Sequence, residues 1–155
     1  MKKDSNAKKQ IVVAVSGGFD PVHIGHVRMF NAAKKLGDKL VVIINNDNWL
    51  MKKKGFVFMD QDERKEIIES FAAVDAVIFT EHEEKPTDMS VSVALRKLKP
   101  DIFANGGDRH THNTPETDAC AELNCQMVYN VGAGGKVQSS SWLIAEALKR
   151  ANYKK

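Results

Sequence analysis

Short apolar runs rich in Val and Ile alternate along the whole chain with segments of helical spacing. The spacing predicts strands over residues 11–15, 40–44, 76–79, 102–104 and 126–131. It predicts helices over residues 25–36, 61–72, 90–98, 115–123 and from 140 to about 151. Strands that are apolar at nearly every position are buried on both faces, and a connection long enough for a helix joins parallel neighbours. Strict alternation therefore predicts an α/β fold, a three-layer sandwich whose middle layer is a five-stranded parallel sheet.

A length of 155 residues suits one such domain. Residues 1–9 carry four of the lysines and no apolar run, so they are expected to form a solvated, flexible basic tail before a single domain over 10–155. They lack the apolar stretch of a secretory signal, and no run reaches the roughly 20 apolar residues of a membrane span. The expected setting is cytoplasmic, with no membrane partner. A formal charge of +3 is too small to demand a nucleic-acid partner. Cys120 and Cys125 are the two cysteines, with no second pair to complete a zinc site, and are expected as reduced, partly buried thiols.

In open parallel sheets a ligand lies beyond the carboxyl ends of the strands, where chain direction switches. The chain's polar, glycine-bearing loops fall there: residues 16–26, 45–59, 105–114 and 132–141. The first reads Ser16-Gly17-Gly18-Phe19-Asp20-Pro21-Val22-His23-Ile24-Gly25-His26. It contains neither the dinucleotide fingerprint Gly-x-Gly-x-x-Gly nor a phosphate loop ending in Gly-Lys-Ser/Thr. His23 and His26, three apart at a helix start, project to one side, and Gly25 leaves room for a phosphate at the helix terminus. Two imidazoles there are able to donate to phosphate oxygens and stabilise charge that builds in a transition state.

This segment resembles the signature Ser/Thr-x-Gly-x-Phe-Asp-x-x-His-x-Gly-His of the cytidylyltransferase-like nucleotidyltransferases, which include polyol-phosphate and amino-alcohol-phosphate cytidylyltransferases and sugar-phosphate adenylyltransferases. The resemblance implies a Rossmann-like fold and in-line attack on an α-phosphorus, with magnesium as cofactor and no covalent enzyme intermediate. It implies catalytic roles for His23 and His26, and nucleotide contacts from Ser16, Gly17, Gly18, Phe19, Asp20 and Gly25. It also makes a homodimer an expectation.

The later loops are similar to the family's in order. The run Lys52-Lys53-Lys54 lies where relatives place a lysine on the triphosphate, and Lys52 or Lys54 is the candidate. Arg64 matches an Arg of relatives and is expected to shape the loop by a local ion pair. Gly107, Asp108 and Arg109 lie in a Gly-Gly-Asp turn that resembles the family's nucleoside contact, although Arg109 stands where an aromatic residue is common. His110 and His112 follow as loop residues. Ser139, Ser140 and Ser141 resemble the family's closing serine element at the last helix. Lys136 is the nearest cation to them, where cytidylyltransferases usually carry an arginine. The expected reaction is transfer of CMP from CTP to a small phosphorylated acceptor with release of pyrophosphate. ATP as donor is the alternative, and a non-catalytic nucleotide-binding regulator is the rival from another class.

Overall fold

A computed structural model of the protein describes residues 8–107, 114–132 and 138–153. The strands are β1 (Val12–Gly17), β2 (Lys39–Ile44), β3 (Ala76–Phe79), β4 (Ile102–Gly106) and β5 (Gln126–Val131). They form one parallel five-stranded sheet in the order β3-β2-β1-β4-β5. The helices are α1 (Ile24–Lys34), α2 (Asp47–Lys54), α3 (Gln61–Glu69), α4 (Ser92–Leu98), α5 (Pro115–Glu122) and α6 (Ser140–Asn152).

Two cores lie against the two faces of the sheet. On one face Val13, Val15, Leu40, Val42 and Ile44 pack with Phe30 of α1 and Ile68 of α3. On the other, Ala14, Ile43 and Phe103 pack with Leu95 of α4 and with Cys120 and Cys125. Consecutive residues of one strand thus feed opposite cores, the physical meaning of an uninterrupted apolar run. This is the expected Rossmann-like sandwich. Both cysteines are buried, free thiols, and burial pushes the Cys125 thiol up to about 12.

One element differs from the sequence expectation. Residues 45–59, read as a loop, contain α2. Its N-cap is Asn46, whose side chain accepts from Trp49 N. Asp47 lies in its first turn and three lysines in its last, each charge favourably placed against the helix dipole. Gly55 closes it in the left-handed conformation at φ 81°. Only Leu50 is buried, so the helix has almost no apolar period to betray it.

The strand order places chain reversal between β1 and β4: β2 and β3 extend to one side, β4 and β5 to the other. The carboxyl ends of those central strands are where such a sheet opens a crevice.

Candidate active site

A cavity of about 430 Å³ occupies that crevice. Ser16, Gly17 and Gly18 floor it from the end of β1, and Asn105, Gly106 and Gly107 from the end of β4. His23, Gly25, His26 and Met29 face it from α1, Trp49 and Lys54 from α2, and Gln138, Ser139 and Ser140 from the start of α6. Its volume falls within the few-hundred-Å³ range of small-molecule sites. A smaller cavity of about 270 Å³ lies under the loop after β3 and shares no residue with the glycine loop.

The histidines are built into the helix start. His23 is the N-cap of α1, and its Nδ1 accepts from Gly25 N at 3.1 Å. His26 Nδ1 accepts from His23 N at 3.2 Å. An imidazole nitrogen that accepts carries no proton, so each neutral ring holds its proton on Nε2. The rings stack at 3.7 Å between centroids, and Phe19 packs edge-on against His26 at 4.8 Å. Burial foremost, then His23 and Lys54, lower the His26 pKa to about 3. Burial and Lys54 lower that of His23 too. Among the described residues, the site therefore presents neutral N–H donors beside Lys54. Gly25, expected to leave room for a phosphate at the helix terminus, lines the cavity, and its own amide donates to the His23 ring.

Phe19 is nearly sealed from solvent and takes φ 53°. Its ring passes so close to Gly17 that a Cβ there would stand 2.9 Å from Phe19 Cζ. Asp20 is fully buried and is not in the cavity wall; its carboxylate accepts from Phe58 N at 2.8 Å and Met59 N at 2.6 Å. It fastens the chain after α2 to the glycine loop. Arg64, also fully buried, donates to the carbonyls of Gly18, Asn45 and Met59 and pairs with Asp47 at 2.6 Å. One guanidinium thus ties three loops and the first turn of α2 together, the structural role expected of it.

Of the lysine run, Lys54 faces the cavity and donates to Asp20 O at 3.1 Å, with burial lowering its pKa. Lys52 is exposed and does not line the cavity. Ser139 caps α6 by accepting from Trp142 N, and Ser140 Oγ donates to Pro21 O at 2.7 Å. Ser141 is exposed. Gly107 lies in the wall, whereas Asp108, Arg109, His110, His112 and Lys136 lie outside the described residues. Met29, Trp49, Asn105 and Gln138 face the cavity without having been singled out in the sequence. A helix start at Asn46-Asp47 was the available signal for Trp49.

The glycine loop, the paired histidines and the last-helix serines converge on one crevice, and a cytidylyltransferase-like family model matches residues 14–153. The chain belongs to the cytidylyltransferase-like family. This cytidylyltransferase-like chain is 36% identical over 102 residues to an FAD synthase of Pyrococcus abyssi, covering 65% of this chain and 66% of the relative. It is 34% identical over 147 residues to the bifunctional protein HldE of Streptomyces coelicolor, covering 94% of this chain and 30% of that protein. The chain thus spans under two thirds of these relatives' own lengths. A lipopolysaccharide core biosynthesis protein from Thermoplasma volcanium superposes with a TM-score of 0.63 at 27% identity, covering 79% of this chain and 97% of that one. Among the described residues no helix is long and apolar enough to cross a membrane.

Proposed function

We propose that the chain transfers a nucleotidyl group from a nucleoside triphosphate to a small phosphorylated acceptor. The observation that carries this reading is the pair of imidazoles, each with Nδ1 committed to a backbone N–H and Nε2–H left to donate into a cavity shared with Lys54. An acceptor phosphate oxygen attacks the α-phosphorus in line. The new P–O bond forms as the bond to the α–β bridging oxygen breaks, and pyrophosphate leaves with that electron pair. The acceptor phosphate is already ionised, so no general base is required. What the protein supplies is alignment and fixed donors toward the charge on the α-phosphate.

His23 and His26 stabilise the equatorial oxygens, Lys54 offsets charge on the chain of phosphates, and the first amides of α6 hold its distal end. Lys52 and Ser141 remain candidates only for contacts beyond the cavity wall. Lys136, Asp108 and Arg109 are proposed as nucleotide contacts on sequence grounds alone. Magnesium enters as a partner of the triphosphate. No cluster of three His, Cys, Asp or Glu able to hold a metal occurs among the described residues, and such a hard ion is commonly carried by substrate phosphates.

CTP is the favoured donor on a resemblance, that of the Gly-Gly-Phe-Asp opening of the first loop to polyol-phosphate cytidylyltransferases. ATP is the second reading, favoured by similarity to FAD synthases, whose product contains an adenylate half. Pyrophosphate release with CTP or ATP, tested against polyol, sugar and amino-alcohol phosphates and FMN, separates the two. Release that requires both a nucleotide and an acceptor supports the reading. Nucleotide binding with no release from any acceptor favours the regulator, and no nucleotide binding at all would sink the reading.

A further inference from the structure

We infer that His82, which does not line the cavity, is a positioning residue for nucleotide binding and acts there through Trp49. The inference rests on the nucleotide reading of the cavity. His82 lies in the segment 80–91 that joins β3 to α4, and its half-buried ring ties the two ends of that segment together. Nε2 stands 3.0 Å from Ser90 O, and Nδ1 stands 2.8 Å from Thr80 Oγ1. A carbonyl only accepts, so Nε2 carries a proton, and Nδ1 of the neutral ring accepts from the Thr80 hydroxyl. Thr80 Oγ1 in turn accepts from Asn46 N at 3.0 Å.

The segment shaped in this way offers main-chain carbonyls to α2. His82 O accepts from Asn46 Nδ2 at 2.8 Å and from Asn48 Nδ2 at 2.9 Å. Met89 O accepts from Trp49 Nε1 at 2.9 Å, and Met89 directly precedes the residue whose carbonyl the His82 ring holds. The indole spans from this segment to the glycine loop, where its Cζ3 stands 3.5 Å from the place a Cβ on Gly18 would take. Trp49 lines the cavity, yet α2 buries only Leu50. With so little apolar packing, the helix and its indole take their place from these polar contacts. Removing the His82 ring releases Ser90 O, and with it the fixed position of the carbonyl that holds the indole.

A double-mutant cycle on the full chain, read by calorimetric titration with CTP and ATP, tests this. His82→Ala is expected to weaken binding of the better nucleotide about tenfold, and Trp49→Phe, which lacks the indole donor, by a similar factor. The double variant is expected to bind no more than about twofold weaker than either single one, because both changes remove the same link. His82→Gln, whose amide reaches Ser90 O as a donor, is expected to restore most of the loss. If His82→Ala does not fold, His82→Asn, too short to reach Ser90 O, takes its place in the cycle. Losses that multiply, a Gln variant as weak as the Ala variant, or unchanged affinity without the ring each overturn the inference while the nucleotide reading stands. Failure of the wild-type chain to bind either nucleotide overturns both.

Discussion

His26 shows how one side chain is tuned by what surrounds it. Phe19 and His23 exclude water from the ring, which disfavours the imidazolium and lowers the pKa from 6.5 to about 3. The unfolded chain takes up a proton near pH 6.5, whereas the folded chain resists until about pH 3. Stability from this residue is therefore complete above the unfolded value and is lost progressively as pH falls through the window between the two. Urea midpoints measured across that window are expected to fall more steeply for wild type than for His26→Gln; parallel curves would contradict it. Lys54 and Lys52 give a second test at this scale. Lys54→Ala is expected to weaken nucleotide binding about tenfold, and Lys52→Ala less than twofold, by calorimetry, because only Lys54 faces the cavity. Sequence could not choose between them. The choice depends on which side of α2 each lysine occupies, and α2 itself was not legible.

Elements were legible where burial is written into composition. β1 and β2 are sealed on both faces by two different cores, so their Val and Ile runs admit little else. The short helix α2 buries Leu50 alone and is held instead by polar contacts. Asn46 Nδ2 and Asn48 Nδ2 both donate to His82 O, Trp49 Nε1 donates to Met89 O, and Asp47 pairs with Arg64. Such long-range contacts leave no local period in a sequence. Asp20 was legible as part of a motif, yet its role is to receive the backbone of Phe58 and Met59 rather than to line the cavity. Arg64→Met is expected to cost about 3–5 kcal/mol in chemical denaturation, since it strands three carbonyls and Asp47. Nucleotide binding should weaken with it. A loss below about 1 kcal/mol would show that the loops hold together without this residue. Gly132, at φ 101° with Met29 backbone 3.2 Å from where a Cβ would lie, should lose about 1–3 kcal/mol as Gly132→Ala in the same assay. A smaller loss would mean that the contact yields.

For the whole molecule, the strand order does most of the positioning. Because the chain reverses between β1 and β4, the glycine loop, one side of α2, the end of β4 and the start of α6 meet at one crevice although they are far apart in sequence. The alternation of strand and helix announced the sheet, and the four polar loops pointed to the edge where the cavity opens. Of the residues facing inward, the sequence singled out those of the glycine loop, Gly107, Ser139 and Ser140, where a motif fixes backbone shape, and Lys54 as one of two candidates. Trp49, Met29 and Asn105 reach the cavity through packing that no short pattern encodes.

Single-turnover pyrophosphate release by wild type and His26→Ala, with nucleotide affinity measured alongside, tests the central claim most directly. If the paired imidazoles act on charge that develops in the transition state, the rate should fall by about 10²–10³ while nucleotide affinity changes no more than a few fold. A variant that keeps the wild-type rate would contradict the account, and so would one whose rate loss is matched by an equal loss of affinity.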